Sequence, residues 1–182
     1  MNRIVFLDRD GVVNVSPPCG GYICNKAEFD FLPGSIEGIK KLNEKGFKVF
    51  IISNQSGVSK GLYTENDLVQ INEKINKALK RKGAYLDGIH YCTHQDSDQC
   101  RCRKPKTGLL EAALRGEVKP DKMFFIGDSF VDLKAAKSFG AKSVLVLSGK
   151  EKIGNRDNWE FEPDFIFDNL LLAAHYLCLH YG

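Results

Sequence analysis

Four short runs in this chain, each rich in apolar residues, break off at a polar residue. Ile4-Val5-Phe6-Leu7 ends at Asp8, Lys48-Val49-Phe50-Ile51-Ile52 at Ser53, Gly88-Ile89-His90-Tyr91 at Cys92, and Met123-Phe124-Phe125-Ile126 at Gly127-Asp128. Runs this short and this rich in β-branched and aromatic residues read as buried strands. Helical patterns separate them. Ser35 to Lys45 puts Ile36, Ile39 and Leu42 on one face before Gly46. Thr64 is placed to cap a helix carrying Leu68, Ile71, Ile75 and Leu79, closed at Gly83. Further helices are expected over Leu109–Leu114, Val131–Phe139 and Leu170–Leu179, the last capped by Asp168, with strands at Ser143–Leu147 and Phe165–Phe167. Such alternation specifies an α/β fold, a mostly parallel sheet with helices on both faces. The stretch Ser148 to Glu162 reads as a surface loop.

A chain of 182 residues, 43% hydrophobic and 27% charged, is expected to form one domain spanning 1–182. Its formal charge of +3 gives no sign of a nucleic-acid groove, although it leaves room for a local basic patch. The apolar run at Ile4–Leu7 is too short for a signal-peptide core, and no run is long enough to span a bilayer. The expectation is a cytoplasmic monomer with no membrane partner. In a reducing compartment the six cysteines are read as ligands or free thiols rather than three disulfides.

In a parallel sheet of this kind, ligands bind outside the carboxyl ends of the strands. The polar exits therefore form one constellation. Asp8 and Asp10 point the same way from an extended backbone, with Arg9 opposite. Two adjacent carboxylates repel, and a hard divalent cation such as Mg²⁺, shared with Asp128, would satisfy them. An aspartate is also a competent nucleophile towards phosphorus. Ser53 adds a hydroxyl donor, and Asp132 is read as a helix cap or a group orienting the site.

Cys92, His94, Cys100 and Cys102 form a Cys₃His set, a complete tetrahedral shell for Zn²⁺ with no position left for water. Zinc here is structural, pinning a loop over 92–102 that leads straight into Arg103-Lys104-Pro105. Cys19 and Cys24 are read as loop thiols, Cys178 as core, and Trp159, Phe161 and Phe165 as packing for the C-terminal segment. No role falls to His90, His175 or His180.

The stretches VFLDRDGVVN, VFIISNQSG, CRKP and FFIGDSFVDL, in that order, resemble the haloacid dehalogenase superfamily of phosphohydrolases over roughly residues 3 to 148. The resemblance implies a Rossmann-like fold, with Asp8 as nucleophile and Asp10 as general acid, then base. It further implies that Ser53 and Lys104 bind the transferring phosphoryl group, and that Mg²⁺ is held by Asp8, Asp128 and the Asp10 carbonyl. Within the superfamily the chain is similar to the subgroup of heptose-bisphosphate and histidinol-phosphate phosphatases. From that likeness Asn54, Gln55, Ser56 and Arg103 are expected at the substrate, Arg103 at a second phosphate. The implied partner is a small phosphorylated metabolite, first the C7 phosphate of a heptose bisphosphate, with histidinol phosphate as the alternative.

Three departures stand out. Only five residues separate His94 from Cys100, the shorter form associated with histidinol-phosphate phosphatases. Ser129 stands where heptose enzymes commonly carry lysine, and Pro17-Pro18-Cys19-Gly20 enlarges a loop before Gly21-Tyr22. No cap domain is evident between Gly11 and Ser53 or after Ile52, so loops are expected to cover the substrate. Two readings compete from outside this class. One is a zinc-stabilised binding module on an inactive phosphatase scaffold, and the other a DNA-end 3′-phosphatase, which would need a basic groove.

Overall fold

The structure is a computed structural model and describes residues 2–17, 21–116 and 120–182. Cys19, and with it most of the Pro17–Gly20 insertion, lies outside these. In chain order the elements are β1 (Arg3–Leu7), α1 (Ser35–Glu44), β2 (Phe47–Asn54), α2 (Glu65–Arg81), β3 (Gly88–Cys92), α3 (Gly108–Ala113), β4 (Lys122–Gly127), α4 (Phe130–Phe139), β5 (Lys142–Val146), β6 (Phe165–Phe167) and α5 (Leu170–Tyr181). The six strands form one sheet in the order β3-β2-β1-β4-β5-β6, every pair parallel. Every strand therefore ends on the same side.

Strand alternation divides the core in two. Val5 and Leu7 of β1 face one apolar cluster, which α1, α2 and α5 close with Ile39, Leu42, Ile71, Ile75, Leu79, Ala173 and Leu177. Ile4 and Phe6 face the other, closed by Leu109 and Leu110 of α3 and by Ala135 and Ala136 of α4. The helices do lie on both faces, as the alternation requires.

Helix α2 starts where Thr64 was expected to cap it. The Thr64 hydroxyl accepts from the Asp67 N–H and the Asp67 carboxylate accepts from the Thr64 N–H, a reciprocal capping box. The cap of α5 is a correction. Asn169, not Asp168, accepts from the Leu172 N–H, because the helix begins at Leu170 as expected and the capping residue is the one immediately before it. The stretch from Ser148 to Glu162 is also more than a loop. It holds a 3₁₀ turn over Ile153–Asn158, and Trp159 and Phe161 pack on Phe130 at the start of α4. Among the described residues no helix is long and apolar enough to cross a membrane.

Phe6 sits at the centre of the second cluster, fully buried, with the rings of Phe50, Phe125 and Phe139 each about 6 Å away. Phe6→Ala is expected to cost about 3–5 kcal/mol, measured by urea unfolding of the metal-replete protein. A loss under about 1 kcal/mol would show that the cluster collapses around the missing ring.

Candidate active site

Because β1 and β4 are parallel neighbours with Leu7 opposite Ile126, their exits bring Asp8 and Asp128 together. Asp132, one turn into α4, closes the group: single carboxylate oxygens from Asp8, Asp128 and Asp132 lie within 4.8 Å of one another. Gly127 makes this approach possible, since a Cβ there would fall 2.3 Å from the Asp132 Cβ. On the far side Asp128 Oδ2 accepts the Lys150 N–H at 2.8 Å, and a Cβ on Gly149 would fall 1.9 Å from that oxygen. Ser148 Oγ donates to the Gly11 carbonyl at 2.7 Å. The exit of β5 thus enters the site, a contribution that the four-exit reading missed.

Lys104 holds the centre. It is 4% exposed, and its Nζ lies 2.9 Å from Asp8 Oδ1, 2.6 Å from Asp132 Oδ1 and 2.8 Å from the Ile52 carbonyl that accepts from it. Its backbone is fixed by Asn54, whose Oδ1 accepts the Lys104 N–H while its Nδ2 donates to the Lys104 carbonyl, both at 3.0 Å. Asn54, expected at the substrate, thus has its amide engaged with Lys104. Ser129 Oγ donates to Asp132 Oδ2 at 2.7 Å. Asp132 is therefore a buried counter-ion of Lys104 and not a helix cap.

Burial alone would drive the proton off Lys104, but Asp132 and then Asp8 outweigh it and keep the ammonium charged. The carboxylates move the other way. Burial, then the charge of Asp132, pushes Asp8 up to about 6 against the pull of Lys104. Burial, then Asp8 and Asp132, pushes Asp128 up to about 8. Crowded carboxylates without a cation hold protons, which is the behaviour of a hard-cation site.

Arg9 does not point away as expected. It is fully buried, lies over the Tyr91 ring at 5.7 Å, and folds back so that its Nε and one terminal nitrogen donate to Asp10 at 3.1–3.2 Å. The turn explains it: Val13 N–H and Asn14 N–H both return to the Arg9 carbonyl, and Gly11, with φ +81°, reverses the chain. Asn14 Nδ2 at 2.8 Å and Gln55 Nε2 at 2.9 Å also donate to Asp10. Gln55 in turn donates to Ser53 Oγ at 3.1 Å and accepts from Tyr63 Oη at 2.7 Å. Ser53 is buried at the β2 exit, where the sequence placed it.

The second cluster lies at the β3 exit. Distances run from 3.2 to 3.7 Å among Cys92 Sγ, His94 Nδ1, Cys100 Sγ and Cys102 Sγ for five of the six pairs. A tetrahedral zinc with bonds of about 2.3 Å to sulfur sets its ligand edges near 3.5–3.8 Å. The four donors fit zinc. Cys102 leads directly to Arg103, whose Nε donates to Asp96 and whose terminal nitrogen donates to the His94 carbonyl. Cys24 sits apart from this cluster, and Cys178 packs against the first core as expected.

A parallel sheet with carboxylates at two central exits, and a buried lysine between them, defines a phosphohydrolase of the haloacid dehalogenase type. A family model described as HAD-hydrolase-like matches residues 101–173. The chain is 38% identical over 149 residues to the D-glycero-β-D-manno-heptose-1,7-bisphosphate 7-phosphatase of Helicobacter pylori strain J99, covering 81% of this chain and 84% of that one. It is 33% identical to the enzyme of the same name from Haemophilus influenzae, over 94% of each chain. The solved D,D-heptose 1,7-bisphosphate phosphatase from B. bronchiseptica, complexed with magnesium and phosphate, superposes with a TM-score of 0.89 at 32% identity, over 98% of this chain and 99% of that one. The chain belongs to the haloacid dehalogenase-like phosphatases, in the heptose-bisphosphate phosphatase family.

The raised carboxylates carry a testable sign. An acid whose pKa is higher folded than unfolded stabilises the fold below its unfolded value, near 3.8, and that contribution is lost as pH rises through its folded value. Without Mg²⁺, stability is therefore lost as pH passes about 6 and then about 8. The Tm gained by adding millimolar Mg²⁺ to dialysed protein is expected to be small near pH ~5 and to grow towards pH ~9. A gain that stays level across that range would contradict the assignment.

Proposed function

We propose that the protein removes the C7 phosphate of D-glycero-D-manno-heptose 1,7-bisphosphate through an aspartyl-phosphate on Asp8. The observation that carries the chemistry is Lys104, buried between Asp8 and Asp132 at the exits of the central strands. The substrate comes from the chain-long likeness to enzymes named for it.

Both Lys104 and the Arg9 N–H bind Asp8 on Oδ1, which leaves Oδ2 to face phosphorus. Oδ2 attacks, the bond from phosphorus to the C7 oxygen breaks, and Asp10 delivers its proton to that oxygen. Asp10, now a carboxylate, takes a proton from water, whose oxygen attacks phosphorus. The acyl-phosphate bond breaks, and Asp8 and inorganic phosphate are released. Arg9, Asn14 and Gln55 hold Asp10 in place for both transfers. Ser53 and Lys104 bind the phosphoryl oxygens as charge spreads over them.

Asp8, Asp128 and the Asp10 carbonyl would hold Mg²⁺, and its bound charge would neutralise the phosphoryl oxygens. Zinc on Cys92, His94, Cys100 and Cys102 would be structural, fixing the strand exit at Cys92 to the segment that delivers Arg103 and Lys104. Gln55, Ser56 and Arg103 line the approach to the substrate, Arg103 for its second phosphate. The presence together of Asp8, Asp10, Ser53, Lys104 and Asp128 leaves no support for a binding module on an inactive scaffold.

Purified protein with Mg²⁺ is expected to turn over heptose 1,7-bisphosphate with a kcat/KM about tenfold or more above histidinol phosphate, the rival that the five-residue zinc span favours. Asp8→Asn is expected to lower kcat by about 10³-fold or more. The reverse preference would move the substrate to histidinol phosphate, and full activity in Asp8→Asn would remove the covalent mechanism.

Metal analysis is expected to find about one zinc per chain, and a strong zinc chelator to lower Tm and kcat together. Active protein free of zinc would overturn the structural-zinc role.

A further inference from the structure

Arg103, the residue after the last donor of the Cys₃His cluster, is already paired. Its Nε donates to Asp96 Oδ1 at 2.5 Å. The two partners differ sharply: the Arg103 side chain is 21% exposed and that of Asp96 89%. Arg103 is also tied at 3.3 Å to the carbonyl of His94, itself one of the four donors, so it stays where it is. Asp96, at the start of the short 3₁₀ turn Asp96–Asp98, is free to rotate into water. Asp96, Arg103 and Lys104 line one small cavity of about 60 Å³.

A second cation lies on the turn that Gln95 of the zinc loop touches. The turn after Gln55 is tight, with Val58 N–H bonded to the Gln55 carbonyl and Lys60 N–H to the Ser56 carbonyl, and it presents Lys60. Lys60 Nζ donates to Tyr22 Oη at 2.9 Å, and that oxygen lies 3.1 Å from Ser56 Oγ. The hydrogen bond from Lys60, then that of Ser56, pulls the Tyr22 phenol below its ordinary value, with the charges of Lys60 and Arg103 adding to it. Lys60 thus bonds the phenol oxygen directly, and the charge of Arg103 acts on it from further off. Gln95 Nε2 reaches the Ser59 carbonyl at 3.4 Å and joins this turn to the zinc loop.

We infer that Asp96 is a resident counter-ion of Arg103, displaced when a second anionic group of the substrate takes the guanidinium, and that Lys60 is the further cation of that seat. The inference rests on the reading of the site as one for a bisphosphate. An exposed ion pair is weak in water, so breaking it costs little. A phosphate dianion offers more charge and more acceptors to the guanidinium fork than one carboxylate does. A substrate with no anion at that end leaves the Asp96–Arg103 pair intact and gains nothing from either cation. The pair therefore weakens binding of a second phosphate by the strength of one exposed ion pair, and Lys60 strengthens it.

The test measures binding to the Asp8→Asn protein with Mg²⁺, by calorimetry. The ligands are heptose 1,7-bisphosphate and heptose 7-phosphate, which differ only in the phosphate on C1. Adding Asp96→Asn is expected to tighten the bisphosphate by about two- to fivefold and leave the monophosphate unmoved. Adding Lys60→Met instead is expected to weaken the bisphosphate by a similar factor and again spare the monophosphate. Weaker bisphosphate binding in Asp96→Asn would mean that Asp96 holds Arg103 in its working shape, which overturns the inference. So would equal shifts for both ligands or an unmoved ratio. If neither ligand binds the parent protein, the substrate reading and the inference fall together; normal binding with an unmoved ratio overturns the inference alone.

Discussion

A buried ammonium between two carboxylates organises this protein. Lys104 lies out of water, where an unpaired charge would cost far more than the fold can offset, so Asp8 and Asp132 must stay beside it. That requirement ties three separate segments together: the exit of β1, the first turn of α4, and the segment after the zinc loop. The strand exits alone bring aspartates near one another, and it is Lys104 that sets their orientation. With Lys104 on Asp8 Oδ1, the other oxygen of Asp8 is the one that the proposed mechanism assigns to attack.

The means of holding Lys104 explain the surrounding sequence. Asn54 clamps its backbone from the end of β2. The four-donor cluster connects the end of β3 to Cys102, two residues before the lysine. Such a loop has little apolar surface of its own, and metal ligation is one way for a polar segment to be rigid without a core. On the opposite side, Trp159 and Phe161 fasten the segment from Ser148 onward to α4, whose first turn carries Asp132. That segment then supplies the Lys150 N–H to Asp128. Apolar packing on one side and a donor cluster on the other converge on one buried charge.

Much of this was legible in the chain, and the reasons differ by residue. The placing of Asp8, Asp128 and Ser53 at one edge was legible because a buried strand must end at the sheet edge, and parallel strands all end on one side. The Cys₃His set was found because its spacing is local. Arg9 was misplaced because period-two alternation holds only while the backbone stays extended, and the turn at Gly11 begins at once. Asp132 was left between two roles because its partner is 28 residues earlier in the chain and the pair exists only in the fold. The share of the β5 exit in the site was missed although the same strand-end signal was present at Ser148.

The sequence by itself determined the class of fold, since alternating periods of two and 3.6 residues admit few layered arrangements. It also determined the donor sets, since chemistry follows residue type. The tertiary structure alone decided which charges pair. Lys104 chose Asp8 and Asp132, Arg9 chose Asp10, and Arg103 chose Asp96. Coulombic partners are set by distance and burial, and neither is encoded in spacing along the chain.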